Sequence, residues 1–145
     1  MTSVAAILKH KGSQVVTVAP TAQIADVAQL LAERQIGAVL VQDNADQLLG
    51  IVSERDIVRS LARNGARTLE MTAGQLMTRA LRTATPRTTV AETMRDMTAG
   101  RFRHMPVLEN GRLVGVISIG DAVKSRIMEQ EQEVESLRSY VAGSA

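Results

Sequence analysis

Two seven-residue segments, Gly50-Ile-Val-Ser-Glu-Arg-Asp56 and Gly115-Val-Ile-Ser-Ile-Gly-Asp121, each place a serine hydroxyl three residues ahead of an aspartate carboxylate. In both, an aliphatic run gives way to polar residues, the pattern of a strand running into a helix N-terminus. Two chemistries use those groups there. The serine and aspartate can satisfy the orphan amides of the first helical turn, as a capping box with Asp in place of Glu. Alternatively, the carboxylate can accept hydrogen bonds from ribose hydroxyls while the serine and the helix-start amides receive a phosphate. Both readings select Ser53, Asp56, Ser118 and Asp121, so spacing alone leaves the choice open.

Catalytic arrangements are not found beside them. The chain has no Ser-His-Asp order at a nucleophile elbow, no Walker glycine loop and no His/Asp/Glu cluster with metal-ligand spacing. With two His and no Cys, disulfides, thiolate sites and cysteine nucleophiles are excluded and a transition-metal site is disfavoured. The expectation is a protein that is not an enzyme and carries neither metal nor catalytic cofactor.

The two segments belong to a longer internal repeat. At an offset of 66 residues, Thr17-Val-Ala-Pro20 falls on Thr83-Ala-Thr-Pro86 and Val41-Gln-Asp-Asn44 on Val107-Leu-Glu-Asn110. One residue is then lost in a turn, where a length change is cheap, and Leu48–Asp56 falls on Leu113–Asp121 at an offset of 65. After each Pro, an i, i+3, i+4, i+7 stripe predicts an amphipathic helix: Ile24, Val27, Ala28 and Leu31, then Val90, Thr93, Met94 and Met97. Thr89 and Glu92 have the spacing of a capping box. Gly37-Ala-Val-Leu-Val41 pairs with Leu48–Val52, and His104-Met-Pro-Val-Leu108 with Leu113–Ile117, as strands. Asn110-Gly111 is a tight-hairpin signal. A second helix follows from Asp56, ending near Asn64-Gly65, and another from Asp121. Each copy thus reads as strand, helix, strand, strand, helix, linked by residues 66–78. Two units of this size gain by packing together about an approximate two-fold axis.

Composition agrees with a folded, water-soluble chain: 145 residues, 45% hydrophobic, 22% charged and a net charge of +2. One Phe, one Tyr and no Trp leave no stacking platform for single-stranded nucleic acid. Fourteen of the seventeen basic residues are Arg, the side chain whose fork suits phosphate. Six of them, Arg79, Arg82, Arg87, Arg95, Arg101 and Arg103, cluster, but they spread over a helix and two loops, so nucleic acid is disfavoured as a partner. No apolar run reaches 18 residues and no signal peptide is legible, which predicts a cytoplasmic protein without a membrane span. Lys9, His10 and Lys11 read as a solvated helix end. Beyond Asp121, Val123, Ile127, Val134, Leu137 and Val141 continue at helical spacing within an acidic stretch, either a solvated end or a helix packing on a second copy.

The paired order of Thr-x-x-Pro, helix, Gly-Ala-Val-Leu-Val or His-Met-Pro-Val-Leu, and Gly-h-h-Ser-x-x-Asp (h, hydrophobic) resembles a tandem pair of CBS (cystathionine β-synthase type) domains over residues 1–127. The resemblance implies an α/β (α+β) module of two pseudo-symmetric β-α-β-β-α repeats, 1–66 and 67–127, with a helical tail over 128–145. It further implies a non-catalytic regulatory role, a homodimer, an unidentified protein target, and clefts between the repeats for AMP, ADP, ATP, NAD(H) or S-adenosylmethionine. Position by position, Asp56 and Asp121 match ribose-binding aspartates, with Ser53 and Ser118 beside them. Thr17 and Thr83 match strand-end threonines. Gly37, Ala38 and Val39, and His104, Met105 and Pro106, match segments that flank adenine. Arg103 and His104 match phosphate-facing positions, and Arg55 is a further phosphate candidate. The copies differ in charge, Glu54-Arg55 against Ile119-Gly120 and Gly37-Ala38 against Arg103-His104, so unequal clefts are expected. The alternatives are a dimeric interaction scaffold with vestigial clefts and, further off, a weak nucleic-acid binder.

Overall fold

The structure is a computed structural model that describes residues 2–12 and 14–143. Among the described residues, six α-helices and five strands follow in the order α1 (Val4–Lys11), β1 (Thr17–Val18), α2 (Ile24–Arg34), β2 (Ala38–Gln42), β3 (Leu48–Ser53), α3 (Glu54–Asn64), α4 (Ala73–Leu76), α5 (Val90–Gly100), β4 (His104–Glu109), β5 (Arg112–Ser118) and α6 (Ile119–Gly143), with a 3-10 turn at Gly65–Glu70. The helical tail expected to residue 145 is helical to Gly143; residues 144 and 145 lie outside the described residues.

The chain forms two compact units. One comprises residues 14–82 with 110–114, the other residues 1–13, 83–109 and 115–145. In the first, β1 runs parallel to β2, with Val18 opposite Val41, and β2 runs antiparallel to β3, with Leu40 opposite Ile51. Ile24, Val27 and Leu31 on one face of α2 are buried with Val39, Val41, Val52, Ile57 and Ala73. The periodic stripe read from the sequence is therefore a core stripe, and burying such side chains is the main stabilising term. Gly65, at φ 62°, ends α3 where the Asn-Gly signal places the stop.

In the second unit α5 buries Val90, Thr93 and Met97. Thr93 is tolerated there because its hydroxyl donates to the Val90 carbonyl at 2.7 Å. Thr89 and Glu92 form the expected capping box; the β4–β5 turn, which is grouped with the first unit, carries positive φ at Asn110 (53°) and Gly111 (78°). The short strand expected at Thr83 is a single parallel bridge, Ala84 to Val107. The cause lies in the partner strand: the Leu40 N–H donates to the Val16 carbonyl at 3.1 Å, whereas its repeat counterpart is Pro106, which has no N–H.

The lead-in to each repeat packs as a third repeated element. Val4 and Ala5 N–H groups donate to the Thr88 and Pro86 carbonyls at 2.8 and 2.9 Å, and Val90 N–H donates to the Thr2 carbonyl at 2.9 Å. Ala73 and Gly74 donate to Ala22 and Pro20, both at 2.8 Å, and Ile24 to Met71 at 2.8 Å. The first set lies in the second unit and the other in the first, so α1 is built with the second copy's elements and α4 with the first copy's.

Candidate functional site

Both Ser-x-x-Asp segments lie where a strand becomes a helix. At the first, Ser53 is the extended N-cap of α3; its Oγ accepts the Asp56 N–H at 3.3 Å and donates to Asp56 Oδ2 at 3.0 Å. The same Oδ2 accepts the Ser53 N–H at 2.9 Å, and Thr78 Oγ1 donates to Asp56 Oδ1 at 3.4 Å. The junction is fixed by Glu54 N–H donating to the Gly37 carbonyl at 2.9 Å. α3 begins at Glu54, two residues before the position read from the sequence, because Ser53 and not Asp56 is the cap.

The second junction repeats this plan with one change. Ser118 Oγ accepts the Asp121 N–H at 3.1 Å, Asp121 Oδ2 accepts the Ser118 N–H at 2.8 Å, and Ile119 N–H donates to the Arg103 carbonyl at 2.8 Å. Here Lys11 Nζ donates to Asp121 Oδ2 at 2.7 Å and to the Val116 carbonyl at 3.0 Å. Lys11 is thus a built-in counterion, not the solvated helix end expected of it, because its ammonium reaches across to the strand–helix junction. Burial works against the charged Asp121 carboxylate, but it is outweighed by the Lys11 hydrogen bond, the Ser118 amide, the Lys11 charge and the Ser118 hydroxyl. The carboxyl therefore titrates below its ordinary value. A cavity of about 350 Å³ opens here, lined by Ile7, His10, Lys11, Asp121, Lys124 and Met128 among others. That volume is within the range of small-ligand sites.

The capping bonds are therefore in place at both junctions, which is the structural half of the two chemistries left open by the spacing. Fold order, paired junctions and repeated lead-ins agree with the comparison to known families. The CBS domain family profile matches residues 5–63 and 73–127. The chain belongs to the CBS domain family. A CBS-domain containing protein of Agrobacterium tumefaciens is 46% identical in its crystal structure, with a TM-score of 0.84 over 86% of this chain and 93% of that one. The CBS domain pair of protein MJ0100, solved in complex with 5-methylthioadenosine and S-adenosyl-L-methionine, is 26% identical with a TM-score of 0.77, covering 90% of this chain and 98% of that one. The CBS domain-containing protein CBSX3, mitochondrial, of Arabidopsis thaliana is 34% identical over 81% of this chain. The chain spans 59% of that relative and 24% of the Arabidopsis protein CBSCBSPB1.

The remaining CBS-matched positions divide by exposure. Thr17 and Thr83 are exposed beside the β1 pairing and the Ala84 bridge, and Arg55 and Arg103 are exposed at the two junctions. His104 is half-buried at the start of β4. Gly37 and Ala38 are half-buried, whereas Val39, Met105 and Pro106 are buried, Val39 and Met105 as core side chains. Lys11 and Thr78 are the contributors missed by the sequence reading. Ser3 and Leu8 fall on Thr72 and Met77 at an offset of 69, a lead-in repeat outside the register of 66, but in it Lys11 falls on Ala80 and Thr78 on Lys9, so the repeat marks neither contributor. Among the described residues no group of three His, Cys, Asp or Glu could hold a metal ion, and no helix is long and apolar enough to cross a membrane.

Proposed function

We propose that this chain is a non-catalytic, ligand-responsive regulatory module, in which an adenosine-containing small molecule engages the Ser53–Asp56 junction, the Ser118–Asp121 junction, or both. The reading is carried by the recurrence at both junctions of a carboxylate, a hydroxyl and helix-start amides on one short segment. These are the groups needed to hold ribose hydroxyls and a phosphate or other polar substituent. It is supported by the MJ0100 CBS pair, whose two ligands both contain adenosine. AMP, ADP, ATP and NAD(H) extend that chemistry with phosphate, for which Arg55 is the candidate cation at the first junction. Lys11, Lys124, Arg103 and His104 are the candidates at the second. Occupancy then shifts whichever arrangement of the chain or partner complex binds the ligand more tightly.

One observation favours the interaction scaffold instead. Asp121 already has a cationic partner in Lys11, so a ligand at that junction must displace the ammonium or recruit it to its own phosphate. A melting-temperature and calorimetry panel of AMP, ADP, ATP, NAD(H), S-adenosylmethionine and methylthioadenosine on nucleotide-free protein separates the readings. A ligand bound only by the folded state at about 100 times its Kd adds about 2.7 kcal/mol of stability. The expected result is a micromolar ligand whose effect is lost in Asp56→Asn or Asp121→Asn. A flat panel at millimolar ligand overturns the proposal.

A further inference from the structure

The C-terminal half of α6 carries an apolar stripe with a regular spacing. Every residue from Gln130 to Gly143 is exposed, a rod of roughly 20 Å at 1.5 Å per residue. Within the helix, Val123, Ile127, Gln130, Val134, Leu137 and Val141 are separated alternately by four and three residues. That is a heptad seam, with β-branched residues at the a positions (127, 134, 141) and Leu137 at d. Exposures are 49% at Ile127, 51% at Val134 and 65% at Leu137. Ile119 and Asp121 in the first turn are half-buried at the strand–helix junction; beyond them the buried or half-buried positions of α6, at Ala122, Ser125 and Glu129, lie roughly 130° round the helix from this seam at about 100° per residue. The stripe therefore lies away from the face that α6 packs inward. A helix this exposed gains little from tertiary packing, and isolated helices of such length are marginal in water.

The flanking charges say what covers it. We propose that α6 pairs with α6 of a second copy of this chain as a short, parallel, in-register coiled coil. β-branched a positions with Leu at d favour two parallel strands. In that register each g position faces the e position five residues on in the other helix. Arg126 then meets Glu131, and Glu133 meets Arg138, of the second copy, both attractive and each made twice by symmetry. The antiparallel alternative around the same seam sets Glu131 against Glu131, Glu133 against Glu133 and Lys124 against Arg138, all repulsive. Arg126 at present pairs with Glu129 of its own helix at 3.3 Å, an exposed contact of the kind that exchanges at little cost. Gln130 at a d position and a length of under three heptads keep the association weak. Pairing uses neither Asp56 nor Asp121.

Sedimentation of the full, ligand-free chain across the micromolar to submillimolar range tests this. A concentration-dependent dimer is expected, weakened roughly tenfold or more by Leu137→Lys or Val134→Lys, with melting temperature retained because both side chains are exposed. Glu133→Arg should weaken it too, and Glu133→Arg/Arg138→Glu should restore it to within about threefold, a rescue that loss of helix structure does not give. The chain has no native cysteine, so Gln130→Cys should oxidise to a disulfide-linked dimer, since in this register the two copies of position 130 face each other. A chain that stays monomeric throughout overturns the proposal. So does a dimer indifferent to the lysine variants, which would place the interface elsewhere, or a dimer that Gln130→Cys does not cross-link.

Discussion

Lys11 Nζ lies 2.7 Å from Asp121 Oδ2, although 110 residues separate them in the chain. The pair joins the end of α1 to the first turn of α6, within the capping bonds that start that helix. It is partly exposed, with side-chain exposures of 34% and 25%, so its removal by Lys11→Met should cost about 1 kcal/mol near neutral pH.

The cost should depend on pH with a definite sign. Asp121 has a folded-state pKa below the ordinary 3.8, so its contribution is complete above the unfolded value and is lost as pH falls through the folded one. In urea unfolding, the gap between the native chain and Lys11→Met should be flat above about pH 5 and shrink below about pH 4. A gap that widens on acidification would contradict the assignment.

Gly50 and Gly115 are counterparts that should respond differently to alanine. A Cβ at Gly50 would come within 2.7 Å of the Thr78 carbonyl oxygen and 2.8 Å of Met77 Sδ. A backbone oxygen cannot step aside without breaking the Ile51–Thr78 bridge, so Gly50→Ala should cost about 2–3 kcal/mol. At Gly115 the nearest atoms belong to the Leu8 side chain, at 2.7 and 2.9 Å, which can turn away. Gly115→Ala should cost about 1 kcal/mol, read from denaturation midpoints.

At the first junction the two partners of Asp56 are unequal. Ser53→Ala removes the helix cap and should destabilise by about 1 kcal/mol. Thr78→Val removes only an exposed bond of 3.4 Å and should stay within about 0.5 kcal/mol. If the ligand reading holds, Thr78→Val nevertheless changes ligand affinity, because it alters what surrounds Asp56 Oδ1.

Ser60 Oγ and Thr68 Oγ1 form a buried bond of 2.8 Å between α3 and the 3-10 turn. Thr68→Val should cost about 1–2 kcal/mol by stranding the serine hydroxyl, relieved in part by its donation to Met71 Sδ, 3.6 Å away. The double variant Ser60→Ala/Thr68→Val should cost less than the two singles together, the signature of a shared bond in thermal unfolding.

Elements with local signatures were legible in the sequence. The core stripes of α2 and α5, the Thr89–Glu92 box, the Asn110-Gly111 turn and the Gly65 stop each follow from spacing within a few residues. The second copy's first strand was over-read, since nothing near Thr83 reports that Pro106 lacks the donor its partner needs. Lys11 was misplaced for a related reason: its role depends on a contact across the whole chain, and a basic helix end looks the same whether solvated or paired. The Ser and Asp positions were found because they repeat, but spacing could not tell cap from ligand site. The structure supplies the cap bonds, and only a ligand can supply the rest.

The division of α1 from the elements that follow it also sets an order of events during synthesis. Residues 14–82 supply nearly all of the first unit and can begin to collapse once Arg82 has emerged. α1 is made earlier still, yet its Val4, Ile7 and Leu8 are buried in a helix whose Val4 and Ala5 amides bond Thr88 and Pro86 and whose Leu8 packs at Gly115, all made later. At roughly 5–20 residues per second, the wait from Lys11 to Asp121 lasts on the order of 5–20 s. α1 is therefore made before most of the elements it packs on and is among the last to find its place, and during that interval its apolar face is available to chaperones or to a neighbouring nascent chain.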